Sequence, residues 1–115
     1  MSRIDRLISV IKREIGSILL TKLSHRNVGI LSILEVKLSS NLLDAWVYYS
    51  QFGDEEACAN TKRALSSATG YIRAELGKAL FTQKIPRLHF IYDDRIEKTQ
   101  ELIQKINTLS EDDPQ

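Results

Sequence analysis

Arginines and small residues occur together along one side of a predicted helix. Steps of three or four residues connect them, so they share one helical face. The members of this face are Arg63, Ser66 or Ser67, Gly70, Arg73 and Gly77. Arginines contact phosphates and small residues allow a polyanion backbone to approach closely, so this face is a candidate RNA site. The alternative is that both glycines let another element of the chain pack there, with the arginines solvated.

Further basic residues continue from this helix into the next strand, and others lie on the polar face of the first helix. By charge and position they are candidate phosphate contacts, although such residues are also typical of a solvated surface. The complete set of predicted RNA contacts is Arg3, Arg6, Arg63, Arg73, Lys78, Lys84 and Arg87.

Two aromatic residues suggest a second kind of RNA contact. Trp46 and Tyr48 alternate along a predicted strand, so they share one face of a sheet. On an exposed face they would stack on bases, as aromatic side chains do in several RNA-binding modules. The alternative is burial under helices, which we predict at least for Tyr49 on the opposite face.

The residues that most often perform catalysis are sparse in this chain. His25 and His89 have no candidate nucleophile or orienting carboxylate beside them in sequence. Cys58 falls at a helix start, where a structural role is the simpler interpretation. Asp93 and Asp94 would suit a metal ion, but they lie where the last helix needs a cap. We therefore predict a protein that is not an enzyme and that has no metal or cofactor.

Composition places the chain in an ordinary class. Its 115 residues are 43% hydrophobic and 27% charged, as in a single soluble globular domain. One cysteine excludes an internal disulfide, and no run approaches the roughly 18 apolar residues of a membrane span. The first 16 residues, MSRIDRLISVIKREIG, lack a small-residue cleavage site. We expect a cytoplasmic protein that does not bind membranes.

The net charge of +1 is unevenly distributed. Residues 99–115 carry one lysine and four acidic residues, which leaves the rest of the chain mildly basic. Such a balance permits a nucleic-acid partner without requiring one.

Hydrophobic periodicity and turn residues predict seven elements in the order α-β-β-α-α-β-α. These are a helix over residues 3–23, strands in ILSILEVKLSS and DAWVYYSQF, helices on each side of Gly70, a strand in RLHFIYDD, and a last helix capped by Asp94. One apolar stripe continues across Gly70, although a glycine inside a helix costs about 1 kcal/mol relative to alanine. We interpret Gly70 as a kink or as a point where another molecule approaches closely.

Four segments in this order resemble the ribosome-binding factor A family. They are IDRLISVIKREIGSIL, EVKLSSNLLDAWVYYS, ATGYIRAELGKAL and IPRLHFIYDD, within a resemblance that spans residues 1 to about 106. The resemblance implies a KH-like fold of the second type. It also implies that the Gly-x-x-Gly loop of RNA-binding KH domains is replaced by a helix–kink–helix whose motif is Ala68–Thr69–Gly70. No Gly-x-x-Gly occurs in this chain.

The predicted fold is α+β, a KH-like fold of the second type with α-β-β-α-kink-α-β order, a C-terminal helix and a three-stranded sheet. We predict a KH-like RNA-binding domain over residues 1–109 and a short acidic, disordered tail over residues 110–115. If Gly70 is a bend between two helices, Gly70→Val should destabilise or straighten the pair.

The resemblance further implies a function. It predicts a ribosome assembly factor that binds the free small ribosomal subunit and its ribosomal RNA, and that assists late maturation and 5′-end processing of this RNA. A role in growth in the cold is also implied. We expect a monomer without a small-molecule substrate. The alternative is a KH-like protein–protein interaction module without direct RNA binding, which solvent exposure of Trp46 and Tyr48 would favour.

Overall fold

The computed structural model describes residues 2–23, 30–80 and 84–112. They form six elements: α1 (Arg3–Leu23), β1 (Ile30–Leu38), β2 (Asp44–Phe52), α2 (Glu55–Ala79), β3 (Arg87–Tyr92) and α3 (Arg95–Asp112). The strands make one sheet in the order β1-β2-β3, with β1 antiparallel and β3 parallel to β2. This confirms the predicted α+β, KH-like fold with a three-stranded sheet.

Two of the predictions concern residues that the structure does not describe. His25 lies outside them, and so do the last three residues of the predicted tail. Helix α3 continues to Asp112, so it includes the first three residues of the segment predicted as a tail. The division into a domain and a disordered tail stays a prediction.

The hydrophobic core lies between the two long helices and one face of the sheet. Along β2, Ala45, Val47 and Tyr49 are buried, in agreement with the two-residue period of a strand that covers a core. Ile11 from α1 and Ile72 from α2 have no exposed surface and belong to the same cluster. Because α1 and α2 lie on this face, Trp46 and Tyr48 point to the opposite one. Burial of Tyr49 confirms its predicted place in the core.

Helix α2 is continuous, and the prediction of two helices separated at Gly70 is wrong. The structure has a single helix of 25 residues and the order α-β-β-α-β-α. Its buried stripe, which includes Leu65, Ala68, Ile72 and Leu76, runs on both sides of the glycine. Burying one such aliphatic side chain contributes about 1.5–3 kcal/mol, which exceeds the cost of one helical glycine of about 1 kcal/mol. Tertiary packing therefore holds the helix together across Gly70.

Gly70 lies in open space on the exposed side of α2. A Cβ atom built at this position would meet no heavy atom within 4 Å. We therefore expect Gly70→Ala to raise the free energy of unfolding by about 1 kcal/mol, measured by urea denaturation. The reciprocal change at the exposed Ala74, Ala74→Gly, should lower it by a similar amount. A destabilised Gly70→Ala variant would show that the backbone here needs glycine.

The same open space changes the expectation for valine at this position. Gly70→Val was expected to disturb a pair of helices, but the structure has one continuous helix, and a Cβ atom at this position meets no heavy atom within 4 Å. Since valine is a somewhat better helix former than glycine, the structure removes the reason for a loss of stability.

Helix α3 begins at a double aspartate. The backbone N–H of Arg95 donates to Asp93 Oδ1 at 2.9 Å, and the N–H of Lys98 donates to the carbonyl oxygen of Asp94 at 2.9 Å. Asp94 thus occupies the predicted N-cap position, while the side-chain contact comes from Asp93.

Further along α3, Leu102, Ile103 and Ile106 are at least half exposed. None of the described helices has the length and hydrophobicity needed to cross a membrane.

Candidate nucleic-acid interface

Several chain segments meet at one end of the sheet. The register places Leu38 at the end of β1 opposite Ala45 near the start of β2, and it pairs Asp44 with Arg87 at the start of β3. We call this the hairpin end, because the turn between β1 and β2 lies there. The start of α1 and the end of α2 reach the same place, since Arg3 and Leu80 line one groove there.

Two neighbouring apolar grooves mark the hairpin end, and both contain Leu7, Leu42 and Leu80. The larger has a volume of about 670 Å³ and is also lined by Arg3 and Arg6. The smaller, of about 350 Å³, is also lined by Leu43, Lys84, Pro86 and Asn41. Three of the predicted RNA contacts therefore border one continuous apolar depression.

The turn that supplies Leu42 has an unusual backbone. Leu42 has φ of 62°, a left-handed conformation that costs a bulky L-residue roughly 1–2 kcal/mol. Its N–H donates to the carbonyl oxygen of Ser39 at 2.9 Å, and Asn41 Oδ1 accepts from the N–H of Leu43 at 3.1 Å. Asn41 thus acts as a turn residue. These bonds hold Leu42 in the groove.

Arg3 and Arg6 are exposed on the first two turns of α1. Among the residues that the structure describes, neither guanidinium forms an ion pair or a side-chain hydrogen bond. Both therefore keep their full hydrogen-bonding capacity for an external anion. Of the seven predicted RNA contacts, these two are the best placed to neutralise phosphates.

Arg87 also lies at the hairpin end, but its guanidinium binds Asp44. Nε and Nη2 donate to the two carboxylate oxygens at 3.0 and 3.1 Å. His89 Nε2 lies 2.8 Å from Asp44 Oδ1. The hydrogen bond from His89, followed by the one from Arg87, holds the pKa of Asp44 below its usual value of 3.8. The Arg87 side chain stays 68% exposed, so it can still meet a phosphate.

The lowered pKa of Asp44 predicts a pH dependence of stability. A carboxylate whose pKa is depressed by folding stabilises the native state above its unfolded pKa, and this contribution disappears as the pH falls through the folded value. The parent should therefore be more stable than Asp44→Asn near neutral pH, with a gap that closes below pH 3.8. Urea denaturation of both proteins between neutral pH and a pH below 3.8 measures this difference in stability. A gap that is independent of pH would contradict the assignment.

Arg73 has an internal role that the sequence did not reveal. Its Nη2 donates to the carbonyl oxygen of Ile85 at 2.8 Å and its Nε to that of Pro86 at 3.1 Å. The half-buried guanidinium thus ties the segment before β3 to α2. One turn further on, a Cβ at Gly77 would contact Ile85 Cγ1 at 3.5 Å. At this end of the predicted face, the segment before β3 packs against Gly77, whereas Arg73 is hydrogen-bonded rather than solvated as that alternative had it.

The remaining predicted contacts are exposed and make local bonds. Lys78 Nζ donates to Glu75 Oε1 at 2.9 Å, and this hydrogen bond raises the pKa of Lys78. Arg63 donates to Asn60 Oδ1. Sixteen residues of helix, or roughly 24 Å at 1.5 Å per residue, separate Arg63 from the end of α2. The structure therefore gathers most of the predicted contacts at the hairpin end and leaves Arg63 far from it.

The predicted motif Ala68–Thr69–Gly70 has no free backbone donors of the kind that a broken turn would supply. Ala68 is buried, and Thr69 Oγ1 donates to the carbonyl oxygen of Leu65 at 2.8 Å. Gly70 alone faces solvent, and with Ser66 and Ser67 it leaves a surface of low relief on α2.

Sequence reasoning missed the apolar part of the hairpin end. Leu42 and Leu43 stand between two polar turn residues, where apolar side chains are unusual, and this was the available signal. No group of three or more potential metal-binding side chains occurs within the described parts of the chain.

Comparisons with known proteins agree on one family. The family model described as Ribosome-binding factor A matches residues 3–106. Ribosome-binding factor A from Dictyoglomus thermophilum is 39% identical over 98% of this chain and 95% of its own length. The protein of that name from Trichodesmium erythraeum is 38% identical over 96% of this chain and 82% of its own length.

Solved structures show the same likeness. The crystal structure of ribosome-binding factor A from Thermus thermophilus is 27% identical and superposes with a TM-score of 0.66, covering 76% of this chain and 92% of the other. A homology model of the Thermus thermophilus protein, fitted into a cryo-electron microscopy map of a 30S–RbfA complex, has a TM-score of 0.64 at 27% identity and the same coverage.

Proposed function

Because this chain belongs to the ribosome-binding factor A family, we propose that it binds the small ribosomal subunit. The observation that carries the proposal is the likeness to the Thermus thermophilus protein that was fitted into a map of a 30S complex. In finer terms, we propose an assembly factor that acts on the free subunit. It would assist late maturation and 5′-end processing of the ribosomal RNA in the cytoplasm, with a role in growth in the cold.

The hairpin end supports this proposal as an RNA-binding surface. Arg3, Arg6 and Lys84 surround an apolar depression, and the exposed Arg87 lies beside it. Basic side chains neutralise phosphates, while apolar walls accept sugar or base surfaces that leave water. Binding of this kind is guided by charge and shape and requires no catalytic step, cofactor or small-molecule substrate. The protein would act as a monomer.

Co-sedimentation with purified subunits tests the proposal. We expect selective binding to free small subunits over whole ribosomes, with an affinity that falls steeply with salt because each phosphate contact releases counterions. Binding that does not change with salt would contradict contact with RNA phosphates. Absence of binding to both particles would contradict the proposal itself.

A protein-interaction module remains the second candidate, and helix α3 carries the observation that favours it. Leu102, Ile103 and Ile106 are 58%, 50% and 53% exposed and lie within two turns of one helix. A cluster of exposed aliphatic side chains is typical of a surface that meets another protein. If Leu102→Ser with Ile106→Ser abolished subunit binding while the hairpin-end variants did not, this candidate would replace RNA binding.

A further inference from the structure

The face of the sheet opposite α1 and α2 has a regular arrangement of aromatic and basic side chains. We call it the outer face and define it by the residues that alternate with the buried ones on the three strands. The register places Lys37, Trp46 and His89 in one row across β1, β2 and β3. The next row contains Glu35, Tyr48 and Ile91. An aromatic side chain therefore occupies the centre of two consecutive rows.

The side chains of the first row support one another. The rings of Trp46 and His89 stack with centroids 5.7 Å apart and an angle of 23° between their planes. Lys37 Nζ lies 5.3 Å from the centroid of the Tyr48 ring, a cation–π distance that connects the two rows. Trp46 and Tyr48 are half-buried, while Lys37 and His89 are more open to solvent at the sides. His89 thus packs against one face of Trp46 and the Lys37 ammonium lies over one face of Tyr48, while both rings keep partial exposure to solvent.

The charges of the outer face are arranged unevenly. At one end, Arg95 Nη2 lies 3.1 Å from Glu35 Oε2 and also pairs with Asp93, so these three charges largely satisfy one another. Lys37 has no carboxylate within ion-pair distance among the residues that the structure describes. It flanks Trp46 on the side opposite His89, and Arg87 lies one row further towards the hairpin end. Asp44 pairs with both Arg87 and His89 at this edge, so Lys37 is the cation beside Trp46 that the described residues leave without an ion pair.

We propose that the outer face binds a single-stranded segment of RNA. Successive residues on one face of a strand are about 6.8 Å apart, which lets Trp46 and Tyr48 each take a separate base. Lys37 and Arg87 would contact the phosphates beside them. The combination of aromatic rings with flanking cations fits nucleic acid better than protein, since Ile91 is the one aliphatic side chain in these two rows.

This inference rests on the proposed function, because it adds a second RNA contact to that of the hairpin end. Arg87 lies at the border of both surfaces, since it pairs with Asp44 at the start of the sheet and precedes His89 by two residues. A strand of RNA could continue from one surface to the other along this edge. The hairpin end would then bind structured RNA, and the outer face an adjoining unpaired stretch.

Intrinsic fluorescence provides a direct test, because Trp46 is the only tryptophan in the chain. The parent protein is titrated with a short uridine-rich RNA at low salt, and with the same RNA in a duplex. We expect the single strand to quench Trp46 and the duplex to have little effect. Tyr48→Leu keeps the reporter and should weaken binding about 5- to 150-fold, the range measured when one stacking residue is lost.

Tyr71→Leu is the matched control. Tyr71 is 47% exposed on α2, away from the outer face, so its loss should leave the titration unchanged. Circular dichroism of both variants verifies that they are folded. The proposal is overturned if the single strand does not quench Trp46, if Tyr48→Leu binds as tightly as the parent, or if Tyr71→Leu weakens binding equally. The outer face would then be available to a protein partner.

Co-sedimentation of the same preparations with small subunits distinguishes a failure of this inference from a failure of the proposed function. A parent protein that binds small subunits but not the single-stranded RNA would overturn this inference and leave the proposed function intact. A parent that binds neither would contradict the proposed function as well.

Discussion

Arg3→Glu combined with Arg6→Glu is expected to reduce binding to free small subunits by at least about 10-fold at low salt. Two reversals remove two phosphate contacts and add two negative charges at the border of the apolar depression. The dependence of log K on log salt should become shallower by roughly 1.4–1.8, because each lost contact removes about 0.7–0.9 from the slope. The fold should persist, since both side chains are exposed and make no side-chain hydrogen bond among the described residues.

Lys12→Glu combined with Arg13→Glu is the matched control for this prediction. It places the same charge change on the same helix, next to Gly16 and Ser32 rather than at the hairpin end. We expect a clearly smaller loss of affinity from this pair. Equal losses from the two pairs would mean that binding depends on overall charge, and the assignment of the hairpin end would be wrong.

Ile72→Ala should have the largest effect on stability. Ile72 has no exposed surface and belongs to the core cluster that joins α1, α2 and the sheet. Removing a buried isoleucine side chain costs about 2–5 kcal/mol, through lost burial and the cavity that remains. For a domain of this size the whole free energy of unfolding is about 5–15 kcal/mol, so the effect is severe. Urea denaturation at constant m-value measures it.

Ile103→Ala removes the same side chain from an exposed position and serves as the control. Ile103 is 50% exposed on α3, so its loss should change stability by no more than about 0.5 kcal/mol. If Ile103→Ala destabilised the protein as much as Ile72→Ala, α3 would pack against a surface in solution that this structure leaves open.

Local patterns were sufficient for most of the elements. The alternation of Val47 and Tyr49 with Trp46 and Tyr48 identified β2 and assigned its two faces correctly. The predicted N-cap position of the last helix was also correct, since the N–H of Lys98 donates to the carbonyl oxygen of Asp94 at 2.9 Å. These predictions succeeded because capping and strand alternation depend on residues a few positions apart.

The wrong prediction at Gly70 also came from considering only residues a few positions apart. A glycine inside a helical pattern signals a break when only neighbouring residues are considered. The burial of Leu65, Ile72 and Leu76 against the sheet decided otherwise, and this stabilisation comes from residues far away in the chain.

The sequence by itself determined three things: the family to which the chain belongs, the buried stripe of α2, and the order of strands and helices. The one error in that order was the division of α2 at Gly70. Only the tertiary structure decided which charged residues are available to a partner. Arg73 donates to Ile85 and Pro86, twelve and thirteen residues away, and Arg87 and His89 meet Asp44 across more than forty. Long-range contacts of this kind depend on how packed elements are placed in space, which no local pattern of residue types encodes.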